Sequence, residues 1–427
     1  MKTVFNPSID QWNDLTARPT ASLSEVMTVV EEVFGAIQSQ GDQAIQAFSE
    51  KFDGIRPDTI EVGPADLKTA QNELSADLKA AIDKAYSNIY TFHLAQQTKR
   101  VQVDVQEGVS CWQEKRPIEK VGLYIPGGTA PLFSSILMLA IPATIAGCRE
   151  IVLCTPPNQS GQLAPAIRYA AYKCGVTRLF QVGGIQAIGG MTFGTETIPQ
   201  VYKILGPGNQ YVTAAKQKAT QYGVSIDMPA GPSELLVVAD DTAVPSYVAA
   251  DLLSQAEHGV DSQVVLVSTS QNIIDKVQDE LQKQLGELPR KEIAAQALAN
   301  STAIYFADES DAMAFINEYG PEHYIICMAN EDQFVKSVVN AGSVFIGNYT
   351  PESAGDYASG TNHTLPTNGY AKQYSGVNLD SFLKAITFQK ISEIGLKDLG
   401  PSIETLADAE GLYAHKNAVS LRLKDLT

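Results

Sequence analysis

Short apolar runs alternate with helical stretches from about Trp112 to Ile346, and this alternation constrains the fold more than any other feature. Three early runs each lead into a glycine loop: Val121–Ile125 into Pro126-Gly127-Gly128, Leu179–Val182 into Gly183-Gly184, and Val201–Leu205 into Gly206-Pro207-Gly208-Asn209. Strands that alternate with helices pair in parallel through right-handed crossovers. The sequence therefore predicts an α/β fold built on parallel sheets.

A second series of the same kind follows, so we expect two Rossmann-like parallel-sheet domains with N- and C-terminal extensions. Its strands are predicted at Leu235–Ala239, Val264–Ser268, Ala303–Phe306, Tyr324–Met328 and Ser343–Ile346. A Gly-, Ser-, Thr- and Asn-rich loop, 348–378, is long enough to suggest a functional segment. The predicted domains are an N-terminal arm (1–20), a first α/β domain (21–123 plus 235–377), an inserted α/β domain (124–234) and a tail domain (378–427).

Composition excludes several classes of protein. The chain carries 31 basic and 48 acidic residues, a formal net charge of −17, which repels nucleic acid and anionic membrane surfaces. Its five cysteines are odd in number and include no Cys-x-x-Cys pair, which disfavours a disulfide framework and a thiolate zinc site. The N-terminus lacks an apolar signal core, and prolines interrupt the longest charge-free run, 121–148. We therefore expect a cytoplasmic protein.

The three glycine loops suggest a dinucleotide site, because ligands bind at the carboxyl ends of parallel strands. None of them matches Gly-x-Gly-x-x-Gly, and each alone is typical of a plain turn. Tyr124, Gln186 and Asn209 lie on or beside these loops. Contact with a base or ribose and simple turn stabilisation both remain open for these side chains.

The few histidines suggest a metal or acid–base site. Gln255 and His258 are three residues apart near a predicted helix end, where they are either zinc ligands or a helix cap. Glu322-His323 precedes a buried strand and is either an acid–base pair or a solvated loop pair. Asp356 in the long loop is either a metal ligand or a turn cap.

Three further side chains have competing interpretations. His363, also in the long loop, either shapes the site or satisfies loop carbonyls, and His93 in a helical stretch is most simply structural. A nucleophilic cysteine is an alternative route for oxidising an aldehyde. Cys154 and Cys327 lie in or at the end of apolar runs, however, where small core residues are expected.

Taken together and in order, the motifs closely resemble the histidinol dehydrogenase family over nearly the whole chain. The segments that carry the resemblance are 124–128 (YIPGG), 206–209 (GPGN), 227–234 (DMPAGPSE), 253–259 (LSQAEHG), 320–323 (GPEH), 360–363 (GTNH) and 410–415 (EGLYAH). Each motif is modestly specific alone, whereas the ordered set is highly specific.

The resemblance implies zinc-dependent oxidation of L-histidinol to L-histidine via L-histidinal, with reduction of two NAD, as the last step of histidine biosynthesis. It implies an intertwined homodimer with one zinc per subunit, bound by Gln255, His258, Asp356 and, from the partner subunit, His415. The implied acid–base residues are Glu322 and His323, and the implied NAD contacts are Tyr124, Gln186 and Asn209. The implied substrate contacts are Ser233, Gln255, His258, Glu322, His323, Asp356, Glu410 and His415.

The chemistry of histidinol suits these residue types. Its imidazole and amine can both bind zinc, which would act as a template that fixes the carbinol carbon. His323 suits removal of the hydroxyl proton, and Glu322 suits activation of the water that hydrates the aldehyde. Two alternatives stay open: a related zinc- and NAD-dependent dehydrogenase of another small polyol, and a zinc-stabilised binding protein without catalytic activity. Glu410 favours an amine-bearing substrate over the polyol.

Overall fold

The computed structural model describes residues 1–18, 23–57, 59–127 and 131–426. The chain forms two compact units: a main unit of Met1–Gln96 with Ile118–Phe382, and a tail unit of Gln97–Pro117 with Leu383–Thr427. Gly128 of the first glycine loop, residues 19–20 of the predicted arm and Ser22 at the start of the predicted helical region lie outside the described residues.

The described residues alternate strands and helices along most of the chain. The strands are β1 (Lys2–Phe5), β2 (Glu61–Val62), β3 (Val101–Gln106), β4 (Val109–Pro117), β5 (Lys120–Tyr124), β6 (Glu150–Cys154), β7 (Arg178–Phe180), β8 (Lys203–Leu205), β9 (Ser225–Ile226), β10 (Glu234–Ala239), β11 (Gln263–Ser268), β12 (Thr302–Tyr305), β13 (His323–Cys327), β14 (Ser343–Ile346) and β15 (Leu383–Ile391). The helices are α1 (Ile9–Leu15), α2 (Leu23–Gln40), α3 (Asp42–Asp53), α4 (Pro64–Thr69), α5 (Ala76–Leu94), α6 (Phe133–Ala146), α7 (Pro165–Lys173), α8 (Gly184–Phe193), α9 (Gln210–Ala219), α10 (Pro245–Ala256), α11 (Gln271–Leu285), α12 (Lys291–Ala299), α13 (Glu309–Tyr319), α14 (Glu331–Ser337), α15 (Glu352–Tyr357), α16 (Glu393–Ala409) and α17 (Tyr413–Asp425).

Two six-stranded sheets organise the main unit. The first sheet has the order β2-β7-β6-β5-β8-β9, with every pairing parallel except that of β2 with β7. The second sheet, β1-β12-β11-β10-β13-β14, is parallel throughout. These sheets confirm the predicted α/β class and the strand series in both halves.

Both sheets are covered by helices on their two faces, which explains why their strands are continuous apolar runs. In β6, Ile151 and Leu153 enter the core on one face, whereas Val152 and Cys154 enter the core on the other. The strand β10 divides its side chains between two cores in the same alternating way. Alternation of side chains across a fully buried strand thus fixes the register of each sheet.

The domain boundaries differ from the predicted ones. Residues 21–123 were grouped with 235–377, yet the described helices α2 and α3 pack in one core with α8 and α9 of the first sheet. The apolar stripe of α2, which includes Val30, Val33 and Phe34, is buried there because helical spacing places it on one face. Helix α5 likewise packs against α6 on the other side of the same sheet.

The tail also differs from the prediction. Strands β3 and β4 pair with each other and β4 pairs with β15, giving an antiparallel sheet of order β15-β4-β3. The tail unit therefore takes in residues 97–117, which were predicted to lie in the first α/β domain, and it begins at Leu383. It also contains two long helices, α16 and α17.

The N-terminal segment is an ordered part of the second sheet. Strand β1 pairs in parallel with β12, and Trp12 of α1 packs edge-on against Phe306 and Phe315. The predicted arm is therefore anchored at the edge of the sheet over its described residues 1–18. Within the described residues, none of the helices combines the length and hydrophobicity needed to cross a bilayer.

Candidate active site

A group of polar side chains is buried at the amino end of the second sheet. Glu234 is the first residue of β10, and Glu322 and His323 stand at the start of β13, which pairs with β10. The parallel register brings the strand ends together, and the backbone N–H of Glu234 donates to Oε2 of Glu322 at 2.9 Å. All three side chains are buried. Burial of this many ionisable groups is costly, which favours a functional role.

Two helices bring further ligand-type side chains to the same place. Gln255 lies in the last turn of α10 and is fully buried. In the amide orientation that satisfies both of its ends, it donates to Glu352 and accepts from the Glu234 N–H at 2.9 Å. Glu352 and Asp356 are four residues apart on α15, which places both on one helix face. The long glycine-rich loop thus contains a short helix that carries site residues.

His323 is the centre of this cluster. Its Nδ1 lies 3.6 Å from Oε2 of Glu322 and 3.6 Å from Oε1 of Glu352. Its Nε2 lies 3.4 Å from Oδ1 of Asp356, without a hydrogen bond of good geometry. The predicted base therefore has three carboxyl groups around it and a buried nitrogen that lacks a well-formed partner.

Electrostatics separate the protonation states within the cluster. Burial alone lowers the pKa of His323, but the charges of Glu322 and Glu352 outweigh it and raise that pKa well above its ordinary value. Burial raises the pKa of Glu352. For Asp356, burial acts upward, yet the contact with His323 and its charge lower the pKa of Asp356 below the ordinary value. These opposite shifts favour a protonated His323 beside an ionised Asp356.

The donor set fits a divalent metal of the zinc type. One ligand atom each from His323, Glu352 and Asp356 lies within 4.8 Å of the others, and Gln255 adjoins Glu352. Nitrogen and oxygen donors of this kind are ligands that zinc accepts. The unpartnered Nε2 of His323 shows that the protein alone does not satisfy the site.

Three predicted site residues, Asn209, Ser233 and His258, line a cavity of about 720 Å³. His258 follows the end of α10 with an exposed side chain, and Ser233 directly precedes β10. Gly208 and Asn209, from the carboxyl end of β8 in the first sheet, line the same cavity. The cavity therefore connects the glycine loop of one sheet with the amino end of the other.

The remaining predicted ligands, Glu410 and His415, belong to the tail unit. Glu410 caps the end of α16, and His415 lies in the first turn of α17; both side chains are exposed. Gln255, Glu322, His323 and Asp356 are therefore the predicted residues that the main unit gathers into one cluster.

The predicted dinucleotide contacts are less open than expected. Tyr124 is buried and its hydroxyl accepts from the Gly184 N–H at 3.1 Å, while burial raises its pKa. Gln186 is fully buried and donates to Asp53 at 2.9 Å, which leaves its Oε1 without a partner. Asn209 is exposed and caps α9, where its side chain accepts from two backbone N–H groups.

A buried ion pair fixes the third glycine loop. Nζ of Lys216 lies 2.5 Å from Oδ1 of Asp227 and donates to the Gly206 carbonyl at 2.8 Å. Oδ2 of Asp227 accepts from the Gly206 N–H at 2.8 Å. Gly206 has a φ of +134°, and a Cβ there would approach the Tyr124 carbonyl oxygen to 2.1 Å. Only glycine therefore permits β5 and β8 to approach this closely at their carboxyl ends.

Other side chains have structural roles. His363 bridges the Asp356 carbonyl (2.8 Å) and the Ser135 hydroxyl (3.0 Å), so it shapes the long loop. His93 is fully buried between Ile89 and Asn362.

The cysteines give no support to a covalent mechanism. Burial raises the thiol pKa of Cys154 and raises that of Cys327 to about 12, so neither resembles an activated nucleophile. All five cysteines of the chain are free thiols.

Sequence reasoning missed two contributors to the cluster, Glu352 and Glu234. Glu352 stands four residues before the predicted ligand Asp356, a helical spacing that would have indicated it had α15 been predicted. Glu234 belongs to a quoted motif, but only the pairing of β10 with β13 shows that its backbone meets Glu322.

Comparison with known proteins gives a consistent result. A family profile described as histidinol dehydrogenase matches residues 16–423. Histidinol dehydrogenase from Bacteroides thetaiotaomicron is 53% identical over 426 residues, which is 100% of both chains. The chloroplastic histidinol dehydrogenase of Arabidopsis thaliana is 50% identical over 98% of this chain and 90% of its own length.

The fold comparison agrees with the sequence comparison. The crystal structure of histidinol dehydrogenase from Elizabethkingia anophelis has a TM-score of 0.97 to this chain at 53% identity. The match covers 100% of this chain and 98% of that one.

Proposed function

This chain belongs to the histidinol dehydrogenase family, oxidoreductases of histidine biosynthesis, and from that premise we propose that it oxidises L-histidinol to L-histidine through L-histidinal while reducing two NAD. One observation carries the proposal: the implied acid–base pair, Glu322 and His323, shares a buried cluster with the implied ligands Gln255 and Asp356. A merely structural zinc site would have no need of the acid–base pair.

Gln255, His258 and Asp356 are the residues that would hold zinc in each subunit, together with His415 of the partner subunit. When bound, zinc would act as a template and Lewis acid for the two substrate nitrogens, and its charge would favour the neutral form of His323. His258 lines the cavity, while Gln255 is buried and the Asp356 side chain is 16% exposed beside His323.

His323 takes the substrate hydroxyl proton as hydride leaves the carbinol carbon for NAD. The aldehyde is then hydrated by water that Glu322 deprotonates while His323 returns its proton to the carbonyl oxygen. His323 is then free to accept the proton of the gem-diol in the second oxidation. Nδ1 of His323 lies 3.6 Å from Oε2 of Glu322, and this proximity supports two acid–base groups that act at one site.

NAD would bind where the cavity meets the first sheet. Asn209 stands at the exposed N-terminus of α9, where backbone N–H groups and the helix dipole favour a phosphate despite the acidic net charge. Tyr124, at the end of β5, and Gln186, in the first turn of α8, are buried, and Gln186 retains an unpartnered oxygen that suits a ribose hydroxyl.

Ser233 and Glu410 complete the proposed substrate site, with the Glu410 carboxylate accepting a hydrogen bond from the N–H of the substrate amine. We propose a homodimer in which the tail unit supplies Glu410 and His415 to the partner's site. The tail unit supports this because it leaves much apolar surface exposed, including Val101, Val103 and Val105 on β3, and because α17 has no buried residue. The five free thiols accord with a cytoplasmic enzyme.

The test measures NADH and histidine formed per histidinol by the full chain, with its metal content determined on the same preparation. We expect two NADH per histidine, loss of activity with a chelator and recovery with zinc. Turnover of an uncharged diol in preference to histidinol would contradict the substrate assignment. Histidinol or zinc binding without NADH formation would contradict the enzymatic assignment altogether.

A further inference from the structure

The proposed function leaves unexplained a buried ion pair behind the active site, between Arg18 of the N-terminal segment and Glu234. Nε of Arg18 donates to Oε2 of Glu234 at 2.6 Å, and the two side chains are only 7% and 1% exposed. We propose that this pair is a positioning device that holds Glu322 and His323 in their reactive arrangement. The inference rests on the proposed roles of these two residues.

Arg18 is fixed by more than its ion pair. Its Nη1 donates to the Thr16 carbonyl and its Nη2 to the Tyr319 carbonyl, both at 2.7 Å. The guanidinium also lies over the Tyr319 ring, 3.7 Å from the centroid. The planar, multiply bonded guanidinium thus has one geometry, which a lysine cannot reproduce.

The backbone of Glu234 contacts three proposed site residues. Its N–H donates to Oε2 of Glu322 at 2.9 Å and lies 2.9 Å from the amide oxygen of Gln255. Its carbonyl oxygen lies 3.4 Å from Nδ1 of His323. Any displacement of Glu234 therefore moves the partner of each of these side chains.

Arg18 also contacts the turn that precedes Glu322 and His323. Tyr319 is the last residue of α13 and stands three residues before Glu322, in the turn that leads into β13. Because one guanidinium holds both the Tyr319 carbonyl and the Glu234 carboxylate, it sets the separation between the turn and the start of β10. The N-terminal segment in this way fixes the entrance of two neighbouring strands.

Stability alone gives a weak reason for this arrangement. A buried ion pair pays a desolvation cost that packed apolar side chains avoid, so replacement by an apolar pair is often neutral or stabilising. Glu234 also adds a carboxyl group beside a site already rich in them. Positioning explains the pair better, since small misplacements of reacting groups lower rates steeply.

The test uses Arg18→Ala and Arg18→Lys in the full-length protein, with Arg178→Ala as the matched control. Arg178 makes a two-point ion pair with Glu61 in the first sheet, at 2.8 and 2.7 Å, remote in sequence from the proposed acid–base pair. We expect Arg18→Ala to lower kcat by about 10–100-fold while KM for NAD changes less than about twofold. Added methylguanidinium should restore part of the kcat of Arg18→Ala. The kcat of Arg18→Lys should lie between those of the wild type and Arg18→Ala.

A second measurement does not depend on activity. Amide hydrogen exchange at Glu234 should be faster in Arg18→Ala and unchanged in Arg178→Ala, since only the first variant releases the backbone of β10. Unchanged exchange at Glu234, or a kcat loss that Arg178→Ala reproduces equally, would overturn the positioning role. A wild-type chain that does not oxidise histidinol would instead refute the proposed function, and the exchange result would still decide whether Arg18 holds Glu234.

Discussion

The two sheets of the main unit share a strand order, but their candidate site residues lie at opposite ends of the strands. The order β7-β6-β5-β8-β9 in the first sheet corresponds to β12-β11-β10-β13-β14 in the second. The first sheet presents its glycine loops at the carboxyl ends of β5, β7 and β8, where open parallel sheets usually bind ligands. The second sheet gathers Glu234, Glu322 and His323 at the amino ends of β10 and β13. A common topology therefore does not determine which edge of a sheet carries the reactive side chains.

The difference follows from the helices and side chains that pack at each edge. At the amino end of the second sheet, the C-terminal turn of α10 delivers Gln255, and α15 delivers Glu352 and Asp356. At the carboxyl end of the first sheet, Lys216 and Asp227 engage the backbone of Gly206 and leave no charge directed at the cavity. The first edge thus allows a ligand to approach the backbone closely, and the second edge carries several ionisable side chains.

The sharpest contrast between the edges is expected from His323→Asn. Loss of the proposed base should lower kcat of both oxidations by about 10²–10⁴-fold, with KM for NAD little changed. Steady-state kinetics with histidinol and with histidinal measure both steps. Glu322→Gln is the matched variant and should impair aldehyde oxidation far more than aldehyde reduction; equal losses would remove the division of labour.

At the other edge, Lys216→Met should affect the dinucleotide rather than the chemistry. It leaves Asp227 buried without its cation, which costs about 3–5 kcal/mol of unfolding free energy, and it frees the Gly206 loop. We expect a higher KM for NAD with KM for histidinol unchanged. Lys218→Met on the same helix loses an ion pair whose partner Glu31 is 59% exposed, and it should change the free energy of unfolding far less. Similar effects of both variants on KM for NAD would contradict the proposal that Lys216 and Asp227 hold the Gly206 loop in place.

Two buried histidines extend the comparison, because their pKa values shift in opposite directions. Burial lowers the pKa of His93, whose Nδ1 donates to the Ile89 carbonyl, whereas carboxylates raise that of His323. His93 is neutral when folded, so the unfolded state binds the extra proton as the pH falls. This contribution to stability is complete above the ordinary pKa of about 6.5 and is lost on acidification toward the folded pKa.

The variant that tests this is His93→Gln. Free energies of unfolding measured between about pH 7.5 and 5.5 should decline less steeply than in the wild type, by up to about 1.4 kcal/mol per pH unit. An identical slope in the two proteins would show that folding does not shift the pKa of His93.

The smallest effect is expected at Asn209, whose side chain caps α9 through the N–H groups of Tyr211 and Val212. Asn209→Ala should cost about 0.5–2 kcal/mol of unfolding free energy, whereas Asn209→Asp keeps the cap. If Asn209 also contacts NAD, Asn209→Asp should raise KM for NAD without loss of stability, because it places a negative charge near the phosphates. Equal KM values in wild type and Asn209→Asp would limit Asn209 to capping.

The predicted strands of the two sheets, β5, β7, β8 and β10 to β14, were recognisable because each is an apolar run bounded by glycine or polar residues. The edge strands β1, β2 and β9 are short or partly polar and were not predicted. The tail sheet was not predicted either, since β3 reads VQVDVQ with its valines exposed, and nothing local indicates that it pairs with a strand joined in turn to β15. Helices α2 and α3 were assigned to the wrong sheet for the same reason: an apolar stripe predicts burial but not the partner surface.

The proposed site likewise contains residues that the sequence predicts and residues that only the tertiary structure reveals. Gln255, Glu322 and His323 stand in the quoted motifs and Asp356 in the long loop, and the fold brings the four together. Arg18 precedes its partner Glu234 by 216 positions, so only the tertiary structure reveals their contact.

Anomalous diffraction at the zinc absorption edge, on crystals of the full chain grown with zinc and histidinol, tests the central claim most directly. We predict one zinc per subunit at the amino end of the second sheet, bonded to Gln255, His258 and Asp356, with both substrate nitrogens on the metal. A zinc peak elsewhere, or histidinol bound away from Glu322 and His323, would contradict the account.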